Sequence, residues 1–202
     1  SGRQGRRHCC MASIRLIVGL GNPGVEYEAT RHNVGFRFVE RLVDSCGNRF
    51  TSDAKLHSLS AQILLGPHKL LVMKPATFMN RSGIAVAAAL RYWKVPADET
   101  LVCHDDLDLP AGSARLKFDG GHGGQNGLRD IVGHLGHGKF HRLRIGIGHP
   151  GQRDLVTPWV LGRASRQDQS LIDGAIEKGL SVLPLLLAGE ISEAMKRLHT
   201  AE

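Results

Sequence analysis

Cysteine is scarce in this 202-residue chain, and the four present, Cys9, Cys10, Cys46 and Cys103, form no C-x-x-C pair. That spacing removes the usual zinc and thiol-redox frameworks. Cys46 and Cys103 stand alone among apolar residues and are expected to be small core residues in a reducing, cytoplasmic compartment. Aromatic residues make up only 5% of the chain, which disfavours a base-stacking platform of the RRM kind. No apolar run approaches the ~18 residues a membrane span needs. There is no G-x-S-x-G elbow, and neither Cys46 nor Cys103 lies in a glycine-rich or electropositive loop. A hydrolase built on this sequence therefore uses water as its nucleophile.

What is present is enough for one compact domain. Hydrophobic residues are 42% of the chain and charged residues 22%, which excludes full disorder. The formal charge of +7 points to an anionic partner. Arg3, Arg6 and Arg7 contribute three of those charges from an acid-free stretch before Met11, leaving +4 on the remainder. Residues 1–10 are read as a leader, either a cloning remnant or a local extension, and residues 11–202 as the functional domain.

Ile14–Leu20 reads as a buried strand ending at a turn, Gly21-Asn22-Pro23-Gly24. Helical spacing runs from about Thr30 to Gly47, and Leu59–Leu65 with Leu70–Lys74 forms a hairpin across Gly66–Lys69. A helix is expected from Asn80–Ser82 to about Lys94, then strands at Thr100–His104 and Ala114–Phe118. Gly120–Gly124 is a loose loop, followed by a helix capped at Asn126 and running through Leu135. A strand at Leu143–Gly148 and a C-terminal helix, kinked at Pro184, complete the pattern. Strands alternating with helices, plus a hairpin, predict an α/β domain: a twisted mixed β-sheet covered by helices on both faces.

Gly19-Leu20-Gly21-Asn22-Pro23-Gly24 fits the dinucleotide fingerprint G-x-G-x-x-G after a strand. A nicotinamide site, however, needs the helix to open at once, and the largely polar segment Val25–Thr30 intervenes. His32 is a candidate general base, and Asp105, at the end of another strand, could fix its tautomer. The run His104-Asp105-Asp106-Leu107-Asp108 offers a rival cation site, but adjacent residues on an extended chain face opposite ways. His134, His137 and His141 straddle a helix end, so no metal is expected. Asn22, Asn80 and Asn126 each sit at a loop or helix start, where an amide can donate to an oxyanion or hold a peptide backbone. Arg115, Lys117, Arg142, Arg144 and Arg153 cluster in the later strands and the loop after them, and suit phosphate.

Four stretches, IVGLGNPGVEYEATRHNVGF, KPATFMNRSG, HDDLDLPAGSARLKFDGGHGGQNGLRDI and FHRLRIGIGHPG, together resemble the bacterial-type peptidyl-tRNA hydrolase family in order and spacing. The resemblance implies hydrolysis of the ester joining a peptide to tRNA, without metal or cofactor, by a cytoplasmic monomer that grips the acceptor stem and 3′ end. It implies His32 as the water-activating base, Asp105 as its partner and Asn22 beside the scissile carbonyl. Tyr27, Phe78, Met79, Asn80 and Asn126 would line the peptide cleft. Lys117 and Arg144 would read the tRNA 5′ phosphate, with Arg153 at the edge of the RNA surface. Gln125 stands where the family commonly has histidine, so no proton role is expected there. A non-catalytic tRNA-binding module and an NAD(P)-dependent oxidoreductase are the alternative readings.

Overall fold

The structure is a computed structural model that describes residues 13–199; the leader expected at 1–10 lies outside them. β1 (Leu16–Gly19) carries four consecutive buried residues, as a strand covered on both faces requires. After α1 (Val34–Ser45), β2 (Thr51–Asp53), β3 (Ser58–Leu65) and β4 (His68–Pro75) form an antiparallel ribbon. The chain continues through α2 (Ser82–Trp93), β5 (Thr100–Asp106), β6 (Ala114–Phe118), α3 (Asn126–Leu135) and β7 (His141–Gly146). It ends with a short α4 (Val156–Val160), the long α5 (Arg166–Leu187) and α6 (Ile191–His199).

These strands form one seven-stranded sheet in the order β2-β3-β4-β1-β5-β7-β6. Its centre, β4-β1-β5-β7, is parallel, and antiparallel neighbours flank it on both sides. The mixed α/β expectation therefore holds. Period-two alternation divides the core: Ile17, Leu101 and Ile145 pack with Phe38, Leu42, Ile176 and Leu183 under α1 and α5. Leu16, Val18 and Val102 face Val86, Ala89, Leu128 and Ile131 of α2 and α3. Helices cover both faces.

Several boundaries differ from the sequence reading. The last strand starts at His141 and stops at Gly146, two residues short of the expected Gly148, because the backbone turns into a loop at Ile147–Gly148. Pro184 lies within α5, which runs on to Leu187 before a second helix begins. The helix closes one turn later, so the single amide donor that proline lacks is lost only near its end. β2 and α4 were absent from the sequence reading; three and five residues are too few to show a period. The cap of α3 is Gln125, whose side-chain oxygen accepts from the Leu128 amide at 2.8 Å, with Asn126 as the first helical residue.

Gly19 and Gly35 bring β1, α1 and β5 together. A Cβ at Gly35 would lie 2.4 Å from the Cys103 carbonyl oxygen, and one at Gly19 would lie 2.4 Å from the Gly35 carbonyl. These neighbours are backbone and cannot swing aside. Gly35→Ala is therefore expected to cost about 1–3 kcal/mol of stability through overpacking. A urea unfolding curve checks this: the midpoint should fall with the slope unchanged.

Candidate active site

The carboxyl ends of the parallel strands converge on one cleft of about 230 Å³, where open α/β sheets place ligands. Asn22 arrives on the loop after β1, and His32 on the single 3₁₀ turn Arg31–Asn33 that precedes α1. Met79 and Asn80 follow β4, Asp105 ends β5, and Gln125 and Asn126 open α3. Val156, Thr157, Val160 and Leu161, from α4 and the residue after it, give the cleft its apolar wall.

His32 and Asp105 meet although 73 residues separate them. Nδ1 of His32 lies 2.8 Å from Oδ2 of Asp105, and both side chains are buried. A carboxylate only accepts, so Nδ1 carries the hydrogen and Nε2 keeps a lone pair. Burial pulls the His32 pKa down, but the charge of Asp105 and its hydrogen bond outweigh it, leaving the imidazole above its ordinary value of 6.5. The other carboxylate oxygen, Oδ1, accepts from Nε2 of Gln125 at 2.9 Å. Because Oε1 of Gln125 is committed to the Leu128 amide, the orientation of this amide is fixed and it can only donate to Asp105. Gln125 thus has a positioning role that its inability to titrate concealed.

The orientation of Asn22 is settled in the same way. Its Oδ1 accepts from the Met79 amide at 2.7 Å, which leaves Nδ2 as a donor uncommitted among the described residues. Asn33 clamps the loop from behind: its Oδ1 accepts from the Asn22 amide at 2.8 Å, and its Nδ2 donates to the Asn22 carbonyl at 2.9 Å. The sequence reading missed Asn33. It also missed Arg31, whose guanidinium stacks on Trp159 at 3.5 Å and donates to the Trp159 carbonyl at 2.9 Å. That contact docks α4 beside the His32 turn. A polar residue on each side of His32 was the available signal.

Asn80 and Asn126 line the cleft with Met79. Tyr27 and Phe78 do not share its walls; they pack edge to face against each other, ring centroids 6.2 Å apart, with Phe78 exposed. The basic cluster is also sorted. Lys117 and Arg144 line a second hollow beside the cleft, with Arg144 Nε paired to Asp106 at 2.8 Å. Arg142 lines the same hollow, but its guanidinium is committed, donating to the carbonyls of Gly120, Gly121 and Gly138 and so holding the glycine loop. Arg153 is exposed on the loop after β7 and lies outside that hollow.

The rival motifs resolve into structure. The Gly19–Gly24 loop leads to a 3₁₀ turn, Val25–Tyr27, and α1 opens only at Val34, so no helix N-terminus meets a pyrophosphate there. Gly19 serves strand–helix packing, and the ring of Phe36 lies where a Cβ at Gly21 would be, at 2.6 Å. His134 hydrogen-bonds the Asp130 carbonyl, whereas His141 packs on Phe118, so the histidine triplet does not converge. Among the described residues no three His, Cys, Asp or Glu side chains could hold a metal ion. Cys103 is buried, as expected, with burial pushing its thiol pKa up; Cys46 is only partly buried. No helix among the described residues is long and apolar enough to cross a membrane.

Comparison with known proteins gives a consistent result. A family model described as peptidyl-tRNA hydrolase matches residues 16–202. A peptidyl-tRNA hydrolase from Xanthomonas oryzae pv. oryzae is 59% identical over 191 residues, covering 95% of this chain and 98% of the relative. Another from Stenotrophomonas maltophilia is 60% identical over 190 residues, covering 94% and 99%. Among solved structures, the crystal structure of peptidyl-tRNA hydrolase from Acinetobacter baumannii superposes with a TM-score of 0.91 at 48% identity, covering 94% and 96% of the two chains.

Proposed function

The chain belongs to the bacterial-type peptidyl-tRNA hydrolase family and cleaves the ester joining a peptide to tRNA, and we propose that His32 activates the water that does so. The observation carrying this reading is the buried His32–Asp105 pair, whose hydrogen on Nδ1 leaves Nε2 free as a base in a cleft that Asn22 shares. Nε2 takes a proton from water as the oxygen attacks the ester carbonyl. The imidazolium formed is stabilised by Asp105. Nδ2 of Asn22 donates to the oxyanion of the tetrahedral intermediate. As that intermediate collapses, the ribose oxygen leaves and takes the proton back from Nε2, releasing the peptide acid and tRNA.

Asn80 and Asn126 hold the peptide backbone, with Met79 beneath it. Tyr27 and Phe78, stacked together beyond the walls, meet the peptide farther from the ester. Lys117 and Arg144 hold the 5′ phosphate of the acceptor stem, and Arg153 extends the RNA surface. The protein acts as a cytoplasmic monomer. All groups that these steps require are side chains of this chain, so turnover should persist under a chelator.

Release of N-acetyl-aminoacyl groups from tRNA, measured with EDTA present, tests the reading. Sustained turnover is expected. Binding of tRNA with no turnover would replace it by the non-catalytic module. Lys117→Ala should weaken tRNA binding and reduce the slope of log affinity against log salt by about 1. A binding titration at several salt concentrations checks this; an unchanged slope with lowered kcat would take Lys117 out of the phosphate contact.

A further inference from the structure

The ester cleft adjoins a hollow on each side of α3. Asp106, His122 and Gly123 join it to the hollow that holds Lys117 and Arg144. Asn80 and Asn126 join it to another, of about 340 Å³, completed by Arg129, Asp130 and Gly133. The two hollows share no lining residue. At about 3.6 residues per turn, Asn126, Arg129, Asp130 and Gly133 form one stripe along α3. Leu128, which lines the Lys117 hollow, points nearly the opposite way.

This spacing aims the side chain of Arg129 over the hollow on its own stripe. Arg129 is exposed, and its guanidinium has no ion pair or hydrogen bond among the described residues. Asp130 lines the same hollow, but its Oδ2 accepts from the Gly83 amide at 2.8 Å, in the first turn of α2. The partial positive charge of that helix end offsets the carboxylate. Nδ1 of His134 lies 3.6 Å from the same oxygen. The uncompensated charge of the hollow is therefore that of Arg129. Gly133 leaves room beside it, since a Cβ there would meet nothing within 4 Å.

The position of the ester decides which part of the substrate reaches Arg129. With the RNA on the Lys117 side, the peptide leaves the scissile carbonyl on the other, past Asn80 and Asn126. Arg129 stands three residues beyond Asn126, about 4.5 Å along the helix axis, which an extended peptide covers in about one to two residues. We propose that the Arg129 hollow is a side-chain subsite for the peptide, taking acidic residues one or two positions before the C-terminal one and rejecting basic ones. The proposal rests on the reading of the cleft as the ester site and of the Lys117 hollow as the phosphate site. A guanidinium offers paired N–H donors to a carboxylate, whereas a lysine side chain placed there meets a like charge. No covalent bond changes; the charge acts on how the peptide is seated.

The test uses two N-acetyl-tripeptidyl-tRNAs with alanine at the ester, one carrying glutamate at both preceding positions and the other lysine. The readout is the ratio of their kcat/KM values. Any unfolded fraction lowers both rates alike and cancels in that ratio. The wild type should favour the glutamate peptide about fivefold, and less so at high salt. Arg129→Gln should bring the ratio toward one, and Arg129→Glu should invert it. Gly133→Glu sets a carboxylate one turn after Arg129, in open space and at a helix-interior position where losing glycine favours the helix. It should lower the ratio with Arg129 still in place. A ratio unchanged in Arg129→Glu overturns the proposal, as does a wild-type ratio near one. Equal losses on both peptides with the ratio kept would assign Arg129 to the RNA and overturn it too. If the wild type hydrolyses neither substrate, the ester reading of the cleft falls, and the subsite with it.

Discussion

His32→Ala is expected to lower kcat by about 10²–10⁴-fold while tRNA affinity is retained, because the imidazole transfers protons but contacts no phosphate in the proposed arrangement. Single-turnover release of N-acetyl-aminoacyl groups, beside a tRNA binding titration, separates the two. Unchanged kcat would remove His32 from the mechanism. The pH profile gives a second reading of the same pair. Water activation needs neutral imidazole, and His32 sits above its ordinary pKa despite its burial, so activity should fall through an acid limb above pH 6.5. Stability moves oppositely. A raised histidine pKa stabilises the fold fully below the unfolded value of 6.5, and that contribution is lost as pH rises through the folded pKa. The enzyme therefore works where the pair adds least to its stability.

Asp105→Asn sharpens this argument, since Gln125 can only donate to position 105. The new amide must turn its oxygen to Gln125 and its NH₂ to Nδ1 of His32. That forces the hydrogen onto Nε2, the wrong tautomer for a base, and turnover should fall about as far as in His32→Ala. Adding Gln125→Glu to the same chain gives the substituted amide an acceptor on that side and turns its oxygen back to His32. The double variant should recover part of the lost rate, a result that simple removal of charge does not predict.

The sequence made the proposed catalytic partners visible because each stood at the end of a strongly patterned element: Asn22 after an apolar strand, His32 before an amphipathic helix, Asp105 closing a buried strand. Spacing along the chain could not show that His32 and Asp105 touch; that follows from β1 and β5 being neighbours in the sheet. Gln125 was legible only as a departure from the family pattern, because the role it plays depends on how its amide is locked. Arg142 shows the converse limit. Alternation places it beside Lys117 on one face of the ladder, yet it reaches back to three loop carbonyls rather than outward to a phosphate. The α4 wall left no trace, since five residues interrupted by Pro158 carry no helical period.

Asn22→Asp should reduce kcat by about 10²–10³-fold or more with little loss of stability. The carboxylate keeps an oxygen for the Met79 amide, so the loop stays anchored as it is now. What changes is the atom turned toward the ester: a donor becomes an acceptor bearing negative charge, where charge of the same sign develops in the transition state. The ground-state ester carries no such charge, so KM should move far less than kcat. Asn22→Ala removes the same donor without adding charge and also strands the Met79 amide, at a cost of about 1–3 kcal/mol in stability. The two variants thus separate electrostatics from anchoring. Asn22→Asp is the worse catalyst and the more stable protein, read from kcat and urea unfolding on the same samples. Wild-type kcat in Asn22→Asp would show that this amide does not face the oxyanion, and would leave the cleft with no assigned donor for it.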